Sequence, residues 1–231
     1  MVQVKKIPRK YQPKGFEILY EDNDIIVGNK SPGYLTVGAL YDRVRTVHHA
    51  LNEYVRKGNS KSRKRVFVVH RLDRETSGIL IFAKTELAQQ ILKNNWPGTI
   101  KTYYAVVHGR LAEKSGTVSS YLFEDGDYMM HSSTESQQGQ LARTEYAVVK
   151  ETNRFSLVRI NLLTGKKNQI RIHMKDLGHP VVGDVKYGRS DTRYLRLALH
   201  AHSIAFSHPT SGERLTFETA VPEYFSTLLG R

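Results

Sequence analysis

Two short apolar runs with a polar, charged segment between them constrain the fold of this chain more than any other feature. Residues 66–69 (VFVV) and 78–84 (GILIFAK) have the length and composition of buried strands. The nine residues HRLDRETSG from position 70 to position 78 carry mostly charged and hydroxyl side chains. The pattern predicts a loop anchored on both sides by core strands, and loops of that kind commonly present catalytic groups.

Strand-like runs recur along the rest of the chain at hairpin-like spacing. They are FEILYED, DIIVGNK, residues 100–107, LARTEYAVVKET, RFSLVRINLLTG and LALHAHSIAF. The polar residues 113–140, rich in Ser, Gly and Gln, predict hairpins or a mobile insertion. Strands outnumber helices and do not alternate regularly with them. The sequence therefore favours an α+β fold with a mixed, mostly antiparallel central sheet and flanking helices.

Four helices are expected, and capping residues set their limits. Thr46 is a predicted N-cap for a helix that ends at Gly58, with one apolar stripe of Val47, Ala50, Leu51, Tyr54 and Val55. Thr85 is the predicted N-cap of a second helix that runs to about Asn94. A third extends from about Asn168 to Gly178, with Pro180 just beyond, and a proline begins the last.

Composition indicates a polyanionic partner. Lys and Arg number 35 against 22 Asp and Glu, which gives a formal net charge of +13 and a pI near 9.8. Such a charge attracts nucleic acid, but also anionic membranes and acidic proteins. No apolar run approaches the roughly 18 residues of a membrane span. With no cysteine and no secretory signal, we expect a cytoplasmic protein that binds nucleic acid.

Asp73 is the candidate catalytic residue of the loop. Its neighbours His70, Arg71 and Arg74 would keep the carboxylate ionised, as a nucleophile or base requires. A carboxylate among basic residues is more often a turn cap or a surface ion pair. The residues alone therefore leave both interpretations open.

Four segments together resemble the RluA family of pseudouridine synthases. Residues 70–80 resemble its pattern H-R-L-D-x-x-T-S-G-x-L, and residues 101–109 resemble K-x-Y-x-A-x-V-x-G. Residues 165–188 resemble G-R-x-H-Q-I-R-x-H-x-x-x-x-G-x-P-I-x-G-D-x-x-Y-G, and residues 199–201 match a short L-H-A strand. The segments occur in the family's order and cover most of residues 16–222. The resemblance implies a pseudouridine synthase fold with a catalytic cleft.

The resemblance also implies an activity and three catalytic residues. Uridine in RNA is detached at its glycosidic bond, the uracil rotates, and carbon 5 is rejoined to the ribose. Asp73 would be the essential carboxylate, acting on the sugar, on the base, or first as a base at the ribose. Tyr103 would stack on the uracil and is a candidate for removing the carbon-5 proton. Arg171 would hold the catalytic aspartate by a salt bridge.

The residues themselves support part of these roles. Strand alternation places Tyr103 on one face with Lys101 and Ala105, and Tyr104 on the other. Arg171 borders the apolar stripe Ile170, Met174 and Leu177 of the third helix, where it could face a cleft. Without the resemblance, Tyr103 would more often be core, and Arg171 a phosphate-binding or solvated arginine.

Substrate contacts are expected around the extruded uridine. Arg71, Arg74 and Lys84 are candidate phosphate contacts. By the resemblance, Leu199 corresponds to a leucine of the family that packs near the uracil base. The family pattern has Arg where this chain has Lys166 and His where it has Asn168. Lys166 is retained as an RNA contact, since it keeps the charge while losing the bidentate fork.

The expected organisation is a basic arm over residues 1–14 and one catalytic domain over residues 15–231. No separate N-terminal RNA-binding domain is expected, as in compact family members that act on tRNA, ribosomal RNA or both. We expect a monomer whose partner is RNA, with no membrane and no obligate protein partner. No phosphate loop is present, and neither a cofactor nor a metal is implied.

Three weaker interpretations stay open on the sequence. His200 and His202 would share one face of a strand and could begin a metal site, although such a pair is more often structural. A catalytically silent RNA-binding protein would have no need of Asp73, Tyr103 and Arg171. A metal-dependent nuclease would need clustered carboxylates that the motifs do not supply.

Overall fold

Eleven strands and four helices lie in the part of the chain that the computed structural model describes, residues 7–38, 44–188, 193–194 and 196–230. The strands are β1 (Phe16–Glu21), β2 (Ile25–Lys30), β3 (Phe67–Val68), β4 (Ser77–Ala83), β5 (Ile100–His108), β6 (Ser115–Glu124), β7 (Met130–Ser133), β8 (Gln140–Glu151), β9 (Phe155–Leu162), β10 (Leu199–Ser207) and β11 (Arg214–Glu218). The helices are α1 (Val47–Arg56), α2 (Glu86–Asn94), α3 (Gln169–Asp176) and α4 (Glu223–Leu228).

Contacts divide the chain into two compact units. The first unit is Met1–Thr99 with Ser203–Thr219, and the second is Ile100–His202 with Ala220–Arg231. The division falls within β10, so Leu199–His202 belongs to the second unit. The expectation of one catalytic domain over residues 15–231 stays a prediction.

The first unit is built on antiparallel strands in the order β1, β2, β4. β2 pairs with β4 from Ile25 opposite Ala83 to Lys30 opposite Gly78. β3 pairs with the C-terminal end of β4. Every residue of β4 is buried, as expected for a strand that is covered on both faces. Its core consists of Ile25, Val27, Val69, Ile79, Ile81, Ala83, Ala88, Leu92, Ile204, Phe206, Leu215 and Phe217.

The second unit contains the antiparallel order β5, β9, β8, β6, β7. Helix α3 packs beside β7 and β8. Ile172 of α3 joins Leu122, Met130, Ala142 and Tyr187 in a buried cluster. The polar residues 113–140 therefore form a hairpin of β6 and β7, which is one of the two structures that the composition predicts.

The capping predictions are largely confirmed. The hydroxyls of Thr46 and Thr85 accept from the amides of His49 and Ala88, at the starts of α1 and α2. Helix α1 ends at Arg56, two residues before the predicted Gly58, because Lys57 itself adopts the left-handed conformation at φ 51°. At the start of α3, the N-cap residue Asn168 is left-handed at φ 54°. Asparagine tolerates this conformation better than most residues.

The α+β class and the mostly antiparallel pairing are confirmed, and β11 is an element that the sequence did not predict. Of the basic arm, residues 1–6 lie outside the described residues, whereas the Gln12 side chain accepts from the amide of Ile18 at 2.8 Å. Among the described residues, no helix is long and apolar enough to cross a membrane.

Candidate active site

Asp73 lies in the loop between β3 and β4, next to a residue whose backbone is held by a buried threonine. The Thr36 hydroxyl donates to the Leu72 carbonyl at 2.9 Å and accepts from the Leu72 amide at 3.1 Å. Thr36 and Leu72 are only 2% and 7% exposed, so water cannot easily replace these bonds. The Asp73 carbonyl accepts from the amide of Thr76 at 3.2 Å, and the residue is half-buried. The carboxylate therefore extends from a backbone that is fixed on both sides.

Lys30, at the end of β2, ties the same loop to the segment that follows β2. Its ammonium donates to three backbone carbonyls, those of Ser31 at 3.0 Å, Tyr34 at 2.8 Å and Arg74 at 2.9 Å. The side chain is fully buried. Burial lowers the pKa of Lys30 to about 7, and the negative charges of Glu75 and Asp73 oppose that shift. The residue after Asp73 is thus held by a cation that lies in the core.

Backbone contacts complete the support of the loop. The Gly33 amide donates to the Arg74 carbonyl at 2.9 Å, and Arg74 Nε donates to the Gly33 carbonyl at 3.3 Å. His70 Nε2 accepts from the amide of Ile81 at 3.1 Å, and its ring lies 4.6 Å from that of Trp96. Arg74 is therefore half-buried and contributes to loop structure, whereas Arg71 is exposed.

Lys84 lies at the other end of β4 from this loop. It is seven positions from Ser77, roughly 23 Å at an extended rise. Its ammonium donates to the Glu21 carboxylate at 2.8 Å and also to the Asp22 carbonyl. The structure does not bring Lys84 to Asp73.

In the second unit, Tyr103 lies on β5 with the orientation that strand alternation predicts. Lys101, Tyr103 and Ala105 are buried, while Thr102 and Tyr104 are half-buried on the opposite face. Tyr104 makes an edge contact with His202 at 4.9 Å. Burial lowers the pKa of Lys101, the basic neighbour of Tyr103 on the same face. Leu199, at the start of β10, is 4% exposed.

Arg171 is held by a carboxylate that the sequence did not single out. Its Nε and Nη2 donate to the two oxygens of Asp184, both at 2.7 Å. The Arg171 side chain is 11% exposed and that of Asp184 is 1% exposed. Bidentate geometry and burial make this one of the stronger types of ion pair. It engages two of the five N–H donors that a guanidinium has.

A tight turn presents Asp184 to Arg171. The Asp184 carboxylate also accepts from the amides of Lys186 and Tyr187, each at 3.0 Å. Gly183 precedes it at φ +75°, where a Cβ would lie 2.1 Å from the carbonyl oxygen of Arg196. Glycine is therefore required at position 183.

The ring of Tyr187 supports the same guanidinium from another direction. The Arg171 guanidinium carbon lies 4.9 Å from the ring centroid, a cation–π distance. The Tyr187 hydroxyl donates to Asn168 Oδ1 at 2.9 Å and accepts from the amide of Met130 at 3.2 Å. Asn168 therefore has a structural partner at the position where the family pattern has histidine.

Lys166 lies just before α3 and is held by its neighbours. Its ammonium donates to Gln140 Oε1 at 2.8 Å, and its amide donates to Gln169 Oε1 at 3.0 Å. Gln169 is buried and also donates to the Arg143 carbonyl and the Thr144 hydroxyl. These bonds fix the start of the helix that carries Arg171.

The histidine pair on β10 has the character of a structural element. His200 is 2% exposed, and burial, with the charges of His202 and Arg196, lowers the pKa of His200 to about 4. His200 is therefore neutral near pH 7. The ring of His202 contacts Tyr104.

Within the described residues, Asp22, Asp24 and His208 form a group whose ligand atoms lie within 4.8 Å of one another. Burial opposes ionisation of Asp22, yet hydrogen bonds from the amides of Ile25 and Asp24 and from Tyr20 and His208 lower the pKa of its carboxyl. These bonds join the β1–β2 turn to the end of β10, so the group has a structural explanation.

Sequence reasoning missed Lys30, Thr36 and Asp184, which support the predicted residues. A signal existed for Lys30 and Asp184. Lys30 lies in residues 29–37, which loosely resemble the family's K-P-x-G-x-x-V-x stretch, and Asp184 matches the G-D of the third motif. What those patterns could not provide was the bonding partner of each side chain.

Comparison with known proteins agrees with these local features. Residues 24–176 match the family model described as RNA pseudouridylate synthase. The dual-specificity RNA pseudouridine synthase RluA of Vibrio cholerae is 36% identical over 84% of this chain and 78% of its own length. The ribosomal large subunit pseudouridine synthase D of Nitrosomonas europaea is 33% identical over 98% of this chain and 66% of its own length.

A solved structure agrees in fold. Human RNA pseudouridylate synthase domain containing 4 superposes with a TM-score of 0.74 at 23% identity, covering 90% of this chain and 89% of that one. The predicted pseudouridine synthase fold is thereby confirmed. With a family match over most of the chain and relatives above 30% identity, this protein belongs to the RNA pseudouridylate synthase family, isomerases that convert uridine to pseudouridine in RNA.

Proposed function

We propose that this enzyme isomerises specific uridines of ribosomal RNA, transfer RNA or both, with Asp73 as its catalytic carboxylate. The observation that carries the proposal is the set of hydrogen bonds that fixes the backbone of the loop around Asp73. Thr36, Lys30 and Gly33 hold the backbone on both sides of one half-buried carboxylate. A merely solvated aspartate would not need such support, whereas a group that acts at a fixed point on a substrate does.

The reaction is an isomerisation in which atoms balance without a second substrate. The bond between N1 of uracil and C1′ of ribose breaks, and a bond between C5 and C1′ forms. The proton on C5 leaves and N1 ends with a proton. An ionised carboxylate beside an oxocarbenium-like sugar follows the chemical logic of glycosidases. Attack on the sugar, attack on the base and proton removal at the ribose all require that Asp73 be ionised and fixed.

Tyr103 and Arg171 take their proposed roles from the family resemblance. Tyr103 stacks on the uracil and is the candidate acceptor of the C5 proton, while Arg171 pairs with the Asp73 carboxylate. Local structure supports both roles, because Tyr103 has a defined face of β5 and Asp184 orients the Arg171 fork.

The remaining substrate contacts are proposed from chemistry. Leu199 is an apolar neighbour for the extruded base. Arg71, exposed beside Asp73, is a direct phosphate contact, and Arg74 supports the loop as well. Lys166 and Lys84 are more peripheral contacts, since each ammonium already has a partner in Gln140 or Glu21.

The site of action and the assembly follow the same proposal. Ribosomal and transfer RNA as substrates agree with relatives whose names specify a ribosomal subunit or dual RNA specificity. We place the enzyme in the cytoplasm, acting as a monomer on RNA without an obligate protein partner.

Tritium release from RNA labelled at uracil carbon 5 tests the proposal. Wild-type enzyme should release tritium from ribosomal or transfer RNA with or without chelator, and Asp73→Asn should abolish release. Glu75→Gln, the same carboxylate-to-amide change two residues away on an exposed side chain, is the matched control and should retain release. Strand scission that depends on metal would instead indicate a nuclease. RNA binding without release from any cellular RNA would indicate a silent RNA-binding protein.

A further inference from the structure

A cavity of about 350 Å³ in the second unit lies at the end of β5, away from the residues that the reaction uses. It is lined by the beginning of β9, the residues after α3 and the segment before β10. Its main side chains are His108, Arg154, Phe155, His179, Arg193 and Tyr194, and we call it the β5-end pocket. The volume falls in the range of roughly 300–1,000 Å³ that small-ligand sites occupy.

Three rings form one wall of the pocket. The rings of Phe155 and Tyr194 meet edge to face at 5.4 Å and 89°. The His108 ring contacts Phe155 at 5.5 Å and Tyr194 at 6.2 Å, also edge to face. His179 Nδ1 lies 2.8 Å from the His108 carbonyl and so fixes the neighbouring wall. The three rings are thus in mutual contact and form a continuous aromatic surface.

Two arginines stand over these rings. The Arg154 guanidinium carbon lies 5.7 Å from the Phe155 ring centre, and Arg154 Nη2 lies 3.4 Å from the Tyr194 hydroxyl. The Arg193 guanidinium carbon lies 5.6 Å from the Tyr194 ring centre. A guanidinium carries its N–H groups in its own plane, where they can bind a phosphate as a fork. Among the described residues that line the pocket there is no carboxylate.

This combination of groups selects one class of ligand. Rings and guanidinium planes stack on nucleobases, and guanidinium edges bind phosphate. A plain anion would not need the aromatic wall, and an apolar ligand would not need two arginines. We infer that the β5-end pocket binds a single-stranded nucleotide of the RNA, with its base against the rings and its phosphate on Arg154 and Arg193. The inference rests on the proposed function, because it takes RNA as the substrate.

The nucleotide bound here is not the reacting uridine. Tyr103 and His108 lie on opposite faces of β5, since they are five positions apart, an odd number, in an alternating strand. They are also about 17 Å apart along the strand. The pocket is therefore a second anchor on the RNA, which contributes to the choice of substrate rather than to the chemistry.

Binding of a fluorescein-labelled single-stranded RNA of mixed sequence, about 12 nucleotides long, tests the inference. The double variant Arg154→Ala, Arg193→Ala should bind about tenfold more weakly, and the slope of log K against log salt should fall by about 0.7, for the one phosphate that both arginines contact. The control is Arg143→Ala, Lys150→Ala, which removes the same charge from two exposed positions on β8. The control should retain the wild-type slope. Equal losses in both double variants would overturn the inference, because they would show diffuse attraction only.

The aromatic part is tested separately. Tyr194→Phe keeps the ring and should bind RNA nearly as wild type does, whereas Tyr194→Leu should lose about fivefold or more. UMP should displace the labelled RNA at lower concentration than inorganic phosphate does. If phosphate competes as well as UMP, or if Tyr194→Leu binds RNA as well as Tyr194→Phe does, the pocket is an anion site without base contact and the inference fails.

These outcomes are independent of the proposed activity. Wild-type enzyme that releases tritium while its pocket variants bind RNA normally would refute the pocket alone. Wild-type enzyme that releases no tritium, while its RNA binding depends on the pocket, would refute the proposed function alone.

Discussion

The backbone around Asp73 and the side chain of Arg171 are fixed by opposite chemical means. In the first unit, a buried cation, Lys30, donates to backbone carbonyls of the Asp73 loop and of the segment that follows β2. In the second unit, a buried anion, Asp184, holds the Arg171 side chain through two charge-assisted bonds. One support therefore acts on main-chain position and the other on side-chain orientation.

The difference matters because the two supports respond differently to change. Removing one partner of a buried ion pair leaves an uncompensated charge in the core. A buried lysine that contacts only neutral carbonyls can instead lose its proton, because burial has already lowered its pKa to about 7. The Arg171 support should fail abruptly on mutation, and the Asp73 support should vary with pH.

The largest expected effect comes from breaking the ion pair. Asp184→Asn should lower the free energy of unfolding by about 3–5 kcal/mol, because Arg171 would keep its charge without the carboxylate. Urea denaturation measures the loss. Asp176→Asn, an exposed carboxylate on the same helix as Arg171, is the control and should stay within about 0.5 kcal/mol of wild type. A cost below that of an ordinary hydrogen bond would mean that Asp184 is not the main support of Arg171.

The next effect concerns Lys30 and appears as a pH dependence. Its pKa is about 7 in the folded protein, against 10.5 for an ordinary lysine. Between these values the unfolded chain holds a proton that the folded chain has lost, so stability rises with pH. The unfolding free energy of wild type relative to Lys30→Met should increase by about 1.4 kcal/mol per pH unit in this window. Urea melts from pH 7.5 to 9.5 measure it, and a flat difference would contradict the pKa shift.

Patterns along the chain were sufficient for what depends on neighbouring residues. Two apolar runs located the Asp73 loop, alternation gave the face of Tyr103, and threonine caps set the starts of α1 and α2. These features are local, since strand and helix periods act over a few residues. The short strand β11 was missed because its five residues are defined as a strand by their pairing with β10.

The supports could not be predicted because they join residues far apart in sequence. Lys30 bonds to the Arg74 carbonyl across 44 positions, and Thr36 bonds to Leu72 across 36. A lysine at the end of a strand is ordinarily solvated, so nothing local marked Lys30 as buried. The charge of Lys84 is evident from the sequence, but its position depends on the direction of β4 and on Glu21.

A smaller effect, at Thr36, distinguishes the positioning of Asp73 from the stability of the fold. Thr36→Val removes a hydroxyl that satisfies both the amide and the carbonyl of Leu72, at a cost of about 2 kcal/mol. Because the loop would also shift, tritium release should fall by about tenfold or more even where the variant is fully folded. Thr36→Ser keeps the hydroxyl and should recover most of the release. If Val and Ser variants release tritium equally, the hydroxyl does not position Asp73.

The smallest effect tests how far the Arg171 support depends on Tyr187. Tyr187→Phe keeps the ring beneath the guanidinium but removes the hydroxyl that joins Asn168 to Met130. We expect a loss of about 1 kcal/mol in the free energy of unfolding. Tyr128→Phe, at a tyrosine that is 74% exposed, should change it by less than about 0.5 kcal/mol. Because Asp184 still holds the Arg171 guanidinium in Tyr187→Phe, tritium release should fall far less than in Asp184→Asn. A loss of tritium release as large as that of Asp184→Asn would show that the position of the Tyr187 ring, and not the ion pair, orients Arg171.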